Sequence, residues 1–249
     1  MRIALISDVH GNIAALDAVL THISRQHVDS IANLGDIVSG GLHPRRTADR
    51  LMNAAIPTIA GNHERQLLST DRARMSASDG HAFDQLTDSH HDWLRSLPPS
   101  LDLGAGVLAI HGTPANDLEY FLETVEPGGC RPATAAEVEH RASRCSGWAV
   151  IACGHTHLQR KVWLSSGTLV VNPGSVGMPA YADDHPYPHV MESGTHHARY
   201  AVIEDNAENR WATTFHKVDY DATTAAVEAG VNGREDIAAA LLSGRVATY

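Results

Sequence analysis

Disulfide chemistry has little to work with in this sequence. Its three cysteines, Cys130, Cys145 and Cys153, are an odd number without a short pairing motif, which predicts reduced thiols and a cytoplasmic location. Long apolar runs are missing as well. Nothing approaches the roughly 18 apolar residues of a membrane span, and Met1-Arg2 leads into Ile3-Ala4-Leu5-Ile6 without the regions of a leader peptide. No membrane partner is therefore expected. Basic residues are in deficit, with 19 Lys+Arg against 29 Asp+Glu and a formal charge of −10. Binding nucleic acid by counterion release needs a basic face, so no nucleic-acid surface is expected. A phosphorylated small molecule is still admissible, because bound metal ions reverse the local charge. Internal repeats and flexible linkers are also lacking. Residues 1–249 read as one domain, long enough to bury roughly three-quarters of its unfolded surface. No feature indicates an oligomeric state.

Histidine is what the chain has in abundance, with 17. Scattered at random, that many give roughly one His-x-His pair, so position must carry the weight. Ile3 to Ser7 reads as a buried strand that ends in Asp8-Val9-His10-Gly11-Asn12. Ile13, Leu16, Val19, Leu20 and Ile23 follow at helical spacing, with Asn12 placed as the cap. A second strand at 30–34 ends at Gly35-Asp36, and a helix is expected from Pro44. A third strand, 57–60, ends at Gly61-Asn62-His63-Glu64. Residues 64–100 read as helical segments bordering the site. The strands at 107–110 and 148–153 end at His111-Gly112 and Gly154-His155-Thr156-His157. Between them, Thr134-Ala135-Ala136-Glu137 has capping-box spacing. Residues 168–171 lead into a turn at Asn172-Pro173-Gly174-Ser175, and 179–197 read as a long loop or lid. The 198–249 segment reads as a hairpin, joined through 205–209, and two short helices. Strand–helix alternation at the start suggests a mostly parallel sheet.

Every polar cluster lies just past the carboxyl end of a predicted strand, the edge where open α/β sheets bind ligands. Asp8, His10, Asp36, Asn62, His111, His155 and His157 should therefore meet in one crevice. Carboxylate, imidazole and amide donors suit Mn, Fe, Zn or Ni better than Ca, and seven donors exceed the need of one ion. Two divalent transition-metal ions are expected, with Mn favoured. Glycines beside the ligands (Gly11, Gly35, Gly61, Gly112, Gly154) are expected to supply sharp turns and close approaches.

The set Asp8-x-His10, Gly35-Asp36, Gly61-Asn62-His63-Glu64, His111 and Gly154-His155-x-His157, in that order over residues 3 to about 176, resembles the calcineurin-like metallophosphoesterases. The resemblance implies an α/β fold of four layers, two mixed sheets packed face to face and flanked by helices. It implies one metal site of Asp8, His10, Asp36 and His157. A second would use Asp36, Asn62, His111 and His155, with Asp36 bridging. It also implies hydrolysis of a phosphate ester by a hydroxide shared between the ions, with His63 as the catalytic residue that protonates the leaving oxygen.

The sequence departs from the protein Ser/Thr phosphatase branch. That branch follows Gly-Asp with an Asp-Arg pair, where the Asp orients the catalytic His and the Arg grips phosphate. Here the stretch is Gly35-Asp36-Ile37-Val38-Ser39-Gly40-Gly41. His63 is left without an evident partner, and Arg45, Arg46 and Arg65 are the replacement candidates for the grip. The substrate expected is a phosphodiester, nucleotide or dinucleotide polyphosphate, as in the bacterial phosphodiesterase and dinucleotide polyphosphate hydrolase branch. The rivals are a phosphomonoesterase or protein phosphatase, and a metal-binding scaffold without turnover. Among single residues, Glu64 reads as a structural hydrogen-bonding group and Cys153 as core. His185, His189, His196 and His197 read as solvated loop residues.

Overall fold

The computed structural model describes residues 1–206 and 211–247. In chain order the elements are β1 (Arg2–Ile6), α1 (Ile13–Ile23), β2 (Ser30–Asn33), α2 (Pro44–Ala54), α3 (Asn62–Ser69), α4 (Ala77–Gln85) and α5 (Asp88–Ser96). There follow β3 (Ser100–Asp102), β4 (Val107–Ile110), β5 (Glu123–Glu126), β6 (Gly129–Pro132), α6 (Ala135–Ala142), β7 (Val150–Ala152), β8 (Gln159–Trp163) and β9 (Leu169–Pro173). The chain continues with β10 (Ala180–Asp183), β11 (His189–Glu192), β12 (Ala198–Asp205), β13 (Trp211–Val218), α7 (Ala222–Val231) and α8 (Glu235–Ser243). Among the described residues no helix is long and apolar enough to cross a membrane.

Two mixed sheets form the centre, ordered β13-β12-β1-β2 and β3-β4-β7-β9-β8. Within the first, β1 runs parallel to β2 and antiparallel to β12. In the second, β4, β7 and β9 are parallel, and β3 and β8 pair antiparallel at the edges. Because side chains alternate along a strand, β1 serves two cores. Ile3 and Leu5 meet Val107, Ala109, Val150, Ala152 and Val171 between the sheets. Ala4 and Ile6 face the other way, against Leu16, Val19 and Ile23 of α1 and Leu51 of α2. Behind the second sheet, Ile110, Ile151 and Val170 pack on Val138 and Ala142 of α6. The four layers expected from the resemblance are present.

Local signals explain the helix starts. Asn12 Oδ1 accepts from Ala15 N at 3.1 Å, so this residue is a cap. Thr134 and Glu137 form the expected box, with Thr134 N donating to Glu137 Oε2 at 2.7 Å.

Four expectations need correction. The sheets are mixed rather than mostly parallel, because β12 returns beside β1 and β3 and β8 close the second sheet antiparallel. The predicted strand at 57–60 is a single parallel bridge, Asn33 to Thr58, where the chain leaves β2 after two backbone bonds. Asn172 and Pro173 end β9 instead of lying wholly in a turn. Residues 179–197 are not a loop: Ala180–Asp183 and His189–Glu192 pair in register as a hairpin. Its strands are short, and the Asp and Pro residues of its tip, 184–188, dominate the local composition. Of the 205–209 connection, residues 207–209 lie outside the described residues.

Leu5 is fully buried between the sheets. Leu5→Ala should destabilise the fold by about 2–5 kcal/mol in urea titrations. A loss below about 1 kcal/mol would contradict face-to-face packing at this point.

Candidate metal centre

The strand-end loops are tied to each other before any ligand is considered. Asp8 N donates to Gly35 O at 2.9 Å, His10 N to Asp36 O at 3.1 Å and Gly11 N to Ile37 O at 2.8 Å. Gly154 N donates to His111 O at 2.8 Å, and Ser175 Oγ to Asp8 O at 2.7 Å. Glu64 anchors the second loop from below. Its Oε2 accepts from Asp36 N and Gly61 N, both at 2.9 Å, and its Oε1 from Ile37 N at 2.8 Å.

The ligands themselves take the sharp turns. Eight non-glycine residues among those described hold a positive φ, and five of them are Asp8, His10, Asp36, His155 and His157, at 50–69°. Each costs roughly 1–3 kcal/mol, and such strain gathers at functional sites. The neighbouring glycines mainly allow close approach. A Cβ on Gly61 would collide with Asp36 Oδ1, and one on Gly154 with Ser7 Oγ.

Two groups of donors result, Asp8 with His10 and His157, and Asp36 with His111 and His155. In the first, His10 Nδ1 lies 2.6 Å from the Ser39 carbonyl and His157 Nδ1 2.7 Å from that of Met178. A carbonyl only accepts, so both Nδ1 atoms carry the hydrogen and both Nε2 lone pairs turn inward. Those two nitrogens stand 3.1 Å apart, with Asp8 Oδ1 at 3.2 Å from His157 Nε2 and 3.9 Å from that of His10. Asp8 Oδ1 is buried and has no hydrogen-bond partner. Three lone pairs aimed at one another, one of them anionic, fit a cation.

The second group is built similarly. His111 Nδ1 donates to Leu34 O at 2.7 Å, leaving Nε2 at 3.1 Å from Asp36 Oδ2. His155 is turned the other way round: its Nε2 donates to Leu118 O at 3.2 Å and its Nδ1 faces inward. Asn62 Oδ1 lies 3.1 Å from His111 Nε2, 3.2 Å from Asp36 Oδ2 and 2.9 Å from His155 Nδ1. With hydrogen bonding alone the amide would rotate to donate to these atoms; a cation favours the oxygen. All seven sequence-selected donors thus converge, though they come from five separate loops.

Protonation suits the assignment at His10 and His155, whereas the proton that Asp36 holds on His111 is one a cation would displace. Burial pushes His10 and His155 down to about 4, so both are neutral donors at pH 7. Burial raises the Asp8 and Asp36 carboxyls, but nearby imidazoles outweigh it and hold both low, with His157 acting on Asp8 and His111 on Asp36. Burial would lower His111, but Asp36 carries it up to about 10.

His63 stands beside the ligands, its ring 5.5 Å from that of His10. No partner for it is evident in the sequence, and the structure supplies one. His63 Nδ1 donates to Asp79 Oδ1 at 2.8 Å, leaving Nε2 free of that bond. Asp79 is buried in the first turn of α4, and it also accepts from Ser39 Oγ at 2.6 Å and Ser76 Oγ at 2.8 Å. Burial lowers His63, but the charges of Asp36 and Asp79 lift it to about 9. The only hint in the sequence is Ser76-x-x-Asp79, which reads as a helix cap.

A cavity of about 670 Å³ opens over these groups, lined by His10, Asp36, Asn62, His63, His155 and His157 together with residues of β10 and α8. Arg45, Arg46 and Arg65 do not line it, which corrects their candidacy. Arg45 and Arg46 are exposed on α2, and Arg65 is held by Asp117 at 2.6 and 2.8 Å. The arginine that does line the cavity is Arg234. Nor is His189 a solvated residue. It is buried, with Nε2 2.9 Å from Tyr120 Oη. His196 and His197 stack and face Asp219, and His185 is exposed.

A ligand present at a thousand times its Kd stabilises a folded state by about 4 kcal/mol, and a chain of this size gains about 2–4 °C per kcal/mol. Saturating Mn²⁺ should therefore raise the melting temperature of chelator-treated protein by roughly 10 °C, and Asp8→Asn should remove most of that rise. An unchanged wild-type melting temperature would contradict a metal site here.

A family model described as the calcineurin-like phosphoesterase superfamily domain matches residues 1–196. Among solved structures, the chain is similar to a metallophosphoesterase from Sphaerobacter thermophilus, at 26% identity and TM-score 0.75, over 98% of this chain and 99% of that one. It is similar in fold to a hypothetical protein from Pyrococcus horikoshii OT3, at 19% identity and TM-score 0.78, over 99% of both chains. A stretch of 69 residues is 36% identical to an uncharacterized protein of Methanocaldococcus jannaschii, and this match spans 28% of each chain.

Proposed function

We propose, for a chain that belongs to the calcineurin-like phosphoesterase superfamily, the hydrolysis of a phosphodiester at a centre of two divalent metal ions. Membership makes it a metal-dependent phosphoester hydrolase. The dinuclear centre, manganese as the preferred metal and the diester substrate are our reading. Asp8, His10, Asp36 and His157 hold one ion, and Asp36, Asn62, His111 and His155 the other. The observation that carries the reading is the inward convergence of unprotonated donors around the unpartnered Asp8 Oδ1. Ions bound there supply Lewis acidity toward the phosphoryl oxygens and a lowered pKa for the attacking water.

The chain's own residues do the rest. His63 hands a proton from Nε2 to the departing oxygen, and Asp79 fixes the ring by accepting from Nδ1. Asp79 thus fills the orienting role left open by the Ile37-Val38-Ser39 stretch. It arrives from a later helix and is itself held by Ser39 and Ser76. Glu64 keeps Asp36 in place through its backbone and does not face the substrate.

Hydrolysis of bis-p-nitrophenyl phosphate, beside p-nitrophenyl phosphate, tests this with metal-stripped and Mn²⁺-loaded protein. Mn²⁺-dependent cleavage that favours the diester is expected, and a preference for the monoester would move the substrate to phosphomonoesters. His63→Asn should keep its metal and lose roughly 10²–10⁴-fold in kcat. Asp79→Asn, which preserves shape but misorients the ring, should lose roughly 10-fold or more. An undiminished kcat in Asp79→Asn would show that His63 does not act through this pair.

A further inference from the structure

The cavity is larger than one phosphoryl group requires, and its far wall differs from the metal side. A volume of about 670 Å³ is in the range of sites that hold drug-sized ligands. On the near side stand the carboxylates and imidazoles. The far wall includes Arg234 and, from α8, Ile237 and Ala240, with Asp183 from the hairpin, whereas Tyr181 of the hairpin stands against the ligands, its ring 4.6 Å from that of His157. Apart from the histidines, Arg234 is the one basic side chain among the described residues lining the cavity.

Arg234 is held in position at three points. Its Nε and Nη2 donate to Asp236 at 2.9 and 2.7 Å, and its Nη1 to Ser78 Oγ at 2.6 Å. Its aliphatic stem lies against the loop after Asp36, where a Cβ added to Gly41 would come within 2.9 Å of Arg234 Cγ. Nearby, Asn232 Nδ2 donates to the Gly41 carbonyl at 2.9 Å. A guanidinium has five N–H donors, and three are engaged here, so one on Nη1 and one on Nη2 remain. The Arg234 side chain is 17% exposed and its bidentate partner Asp236 60%, so the carboxylate is open to solvent and an anion in the cavity competes with it for the guanidinium. Ser78 precedes Asp79, the partner of His63, so α4 sets the spacing between the guanidinium and the proton donor. Arg234 is linked to His63 through Ser78 and that helical turn, and both side chains line the same cavity.

We infer that Arg234 receives a second anionic group of the substrate, so that the preferred esters carry phosphate or an equivalent charge beyond the bond cleaved. Nucleoside and dinucleotide polyphosphates have this chemistry, and a simple diester lacks it. The inference rests on the phosphodiesterase reading above and narrows its substrate. It also gives the segment beyond residue 196 a part in specificity.

The test compares kcat/KM for diadenosine tetraphosphate and bis-p-nitrophenyl phosphate on the Mn²⁺-loaded full chain, with calorimetric binding of inorganic triphosphate as a readout independent of turnover. Arg234→Gln should lower the ratio of the two kcat/KM values about tenfold or more, chiefly through KM, and weaken triphosphate binding to a similar degree. Arg234→Lys should restore part of both. Asp236→Asn, which removes the competing carboxylate, should move triphosphate affinity the opposite way. Equal losses on both esters with unchanged triphosphate affinity would overturn the subsite and make Arg234 a structural residue. If the wild type cleaved neither ester while Arg234→Gln still weakened triphosphate binding, the phosphodiesterase reading would fall and the anion subsite would stand.

Discussion

Asp8 and Asp36 are buried almost completely at the joined edges of two sheets, close enough that the charge of Asp36 works against ionisation of Asp8. A buried carboxylate without compensation is several kcal/mol unfavourable, and Glu64 and Asp79 add two more acidic groups nearby. The surrounding structure is organised around that charge. Three backbone N–H groups satisfy Glu64, two serines and His63 satisfy Asp79, and His111 and His157 stand against Asp36 and Asp8. Asp8 Oδ1 still accepts no hydrogen bond. Divalent cations at the two donor groups, as proposed, would complete the balance.

The cradle needs both sheets. The loops after β1 and β2 are hydrogen-bonded to each other, and those after β4, β7 and β9 reach them across the gap between the layers. Rigidity explains why five ligands tolerate positive φ: each strained turn is fixed by bonds to the neighbouring loop. The segment beyond residue 196 completes this frame. β12 pairs along β1, and His43 in the loop before α2 meets Glu228 of α7 at 2.9 Å.

The ligand set was legible because each ligand follows a short apolar run and carries an unusual donor type. The core strands β1, β4 and β7 and the caps at Asn12 and Thr134 were legible for the same local reasons. Residues whose meaning is tertiary were not. Asp79 reads as an ordinary first-turn carboxylate of α4, and only the folding of α4 against the Ser39 loop brings it to His63. Arg234 looks like any surface arginine until α8 lays it on Gly41. The hairpin β10–β11 was hidden by the Asp and Pro residues of its tip. Strands β5, β6 and β8 are short and partly exposed, β5 bounded by Glu and β6 and β8 carrying Gly, Arg or Lys, which obscured their alternation.

The central claim is that seven side chains from separate loops hold two ions through a shared Asp36. Metal content per chain, determined by mass spectrometry after Mn²⁺ loading and desalting, tests it most directly in the wild type and in Asp36→Asn. The account predicts two ions per chain in the wild type and the loss of at least one in the variant, because the bridging carboxylate serves both positions. One ion or fewer in the wild type, or an unchanged content in Asp36→Asn, would contradict it.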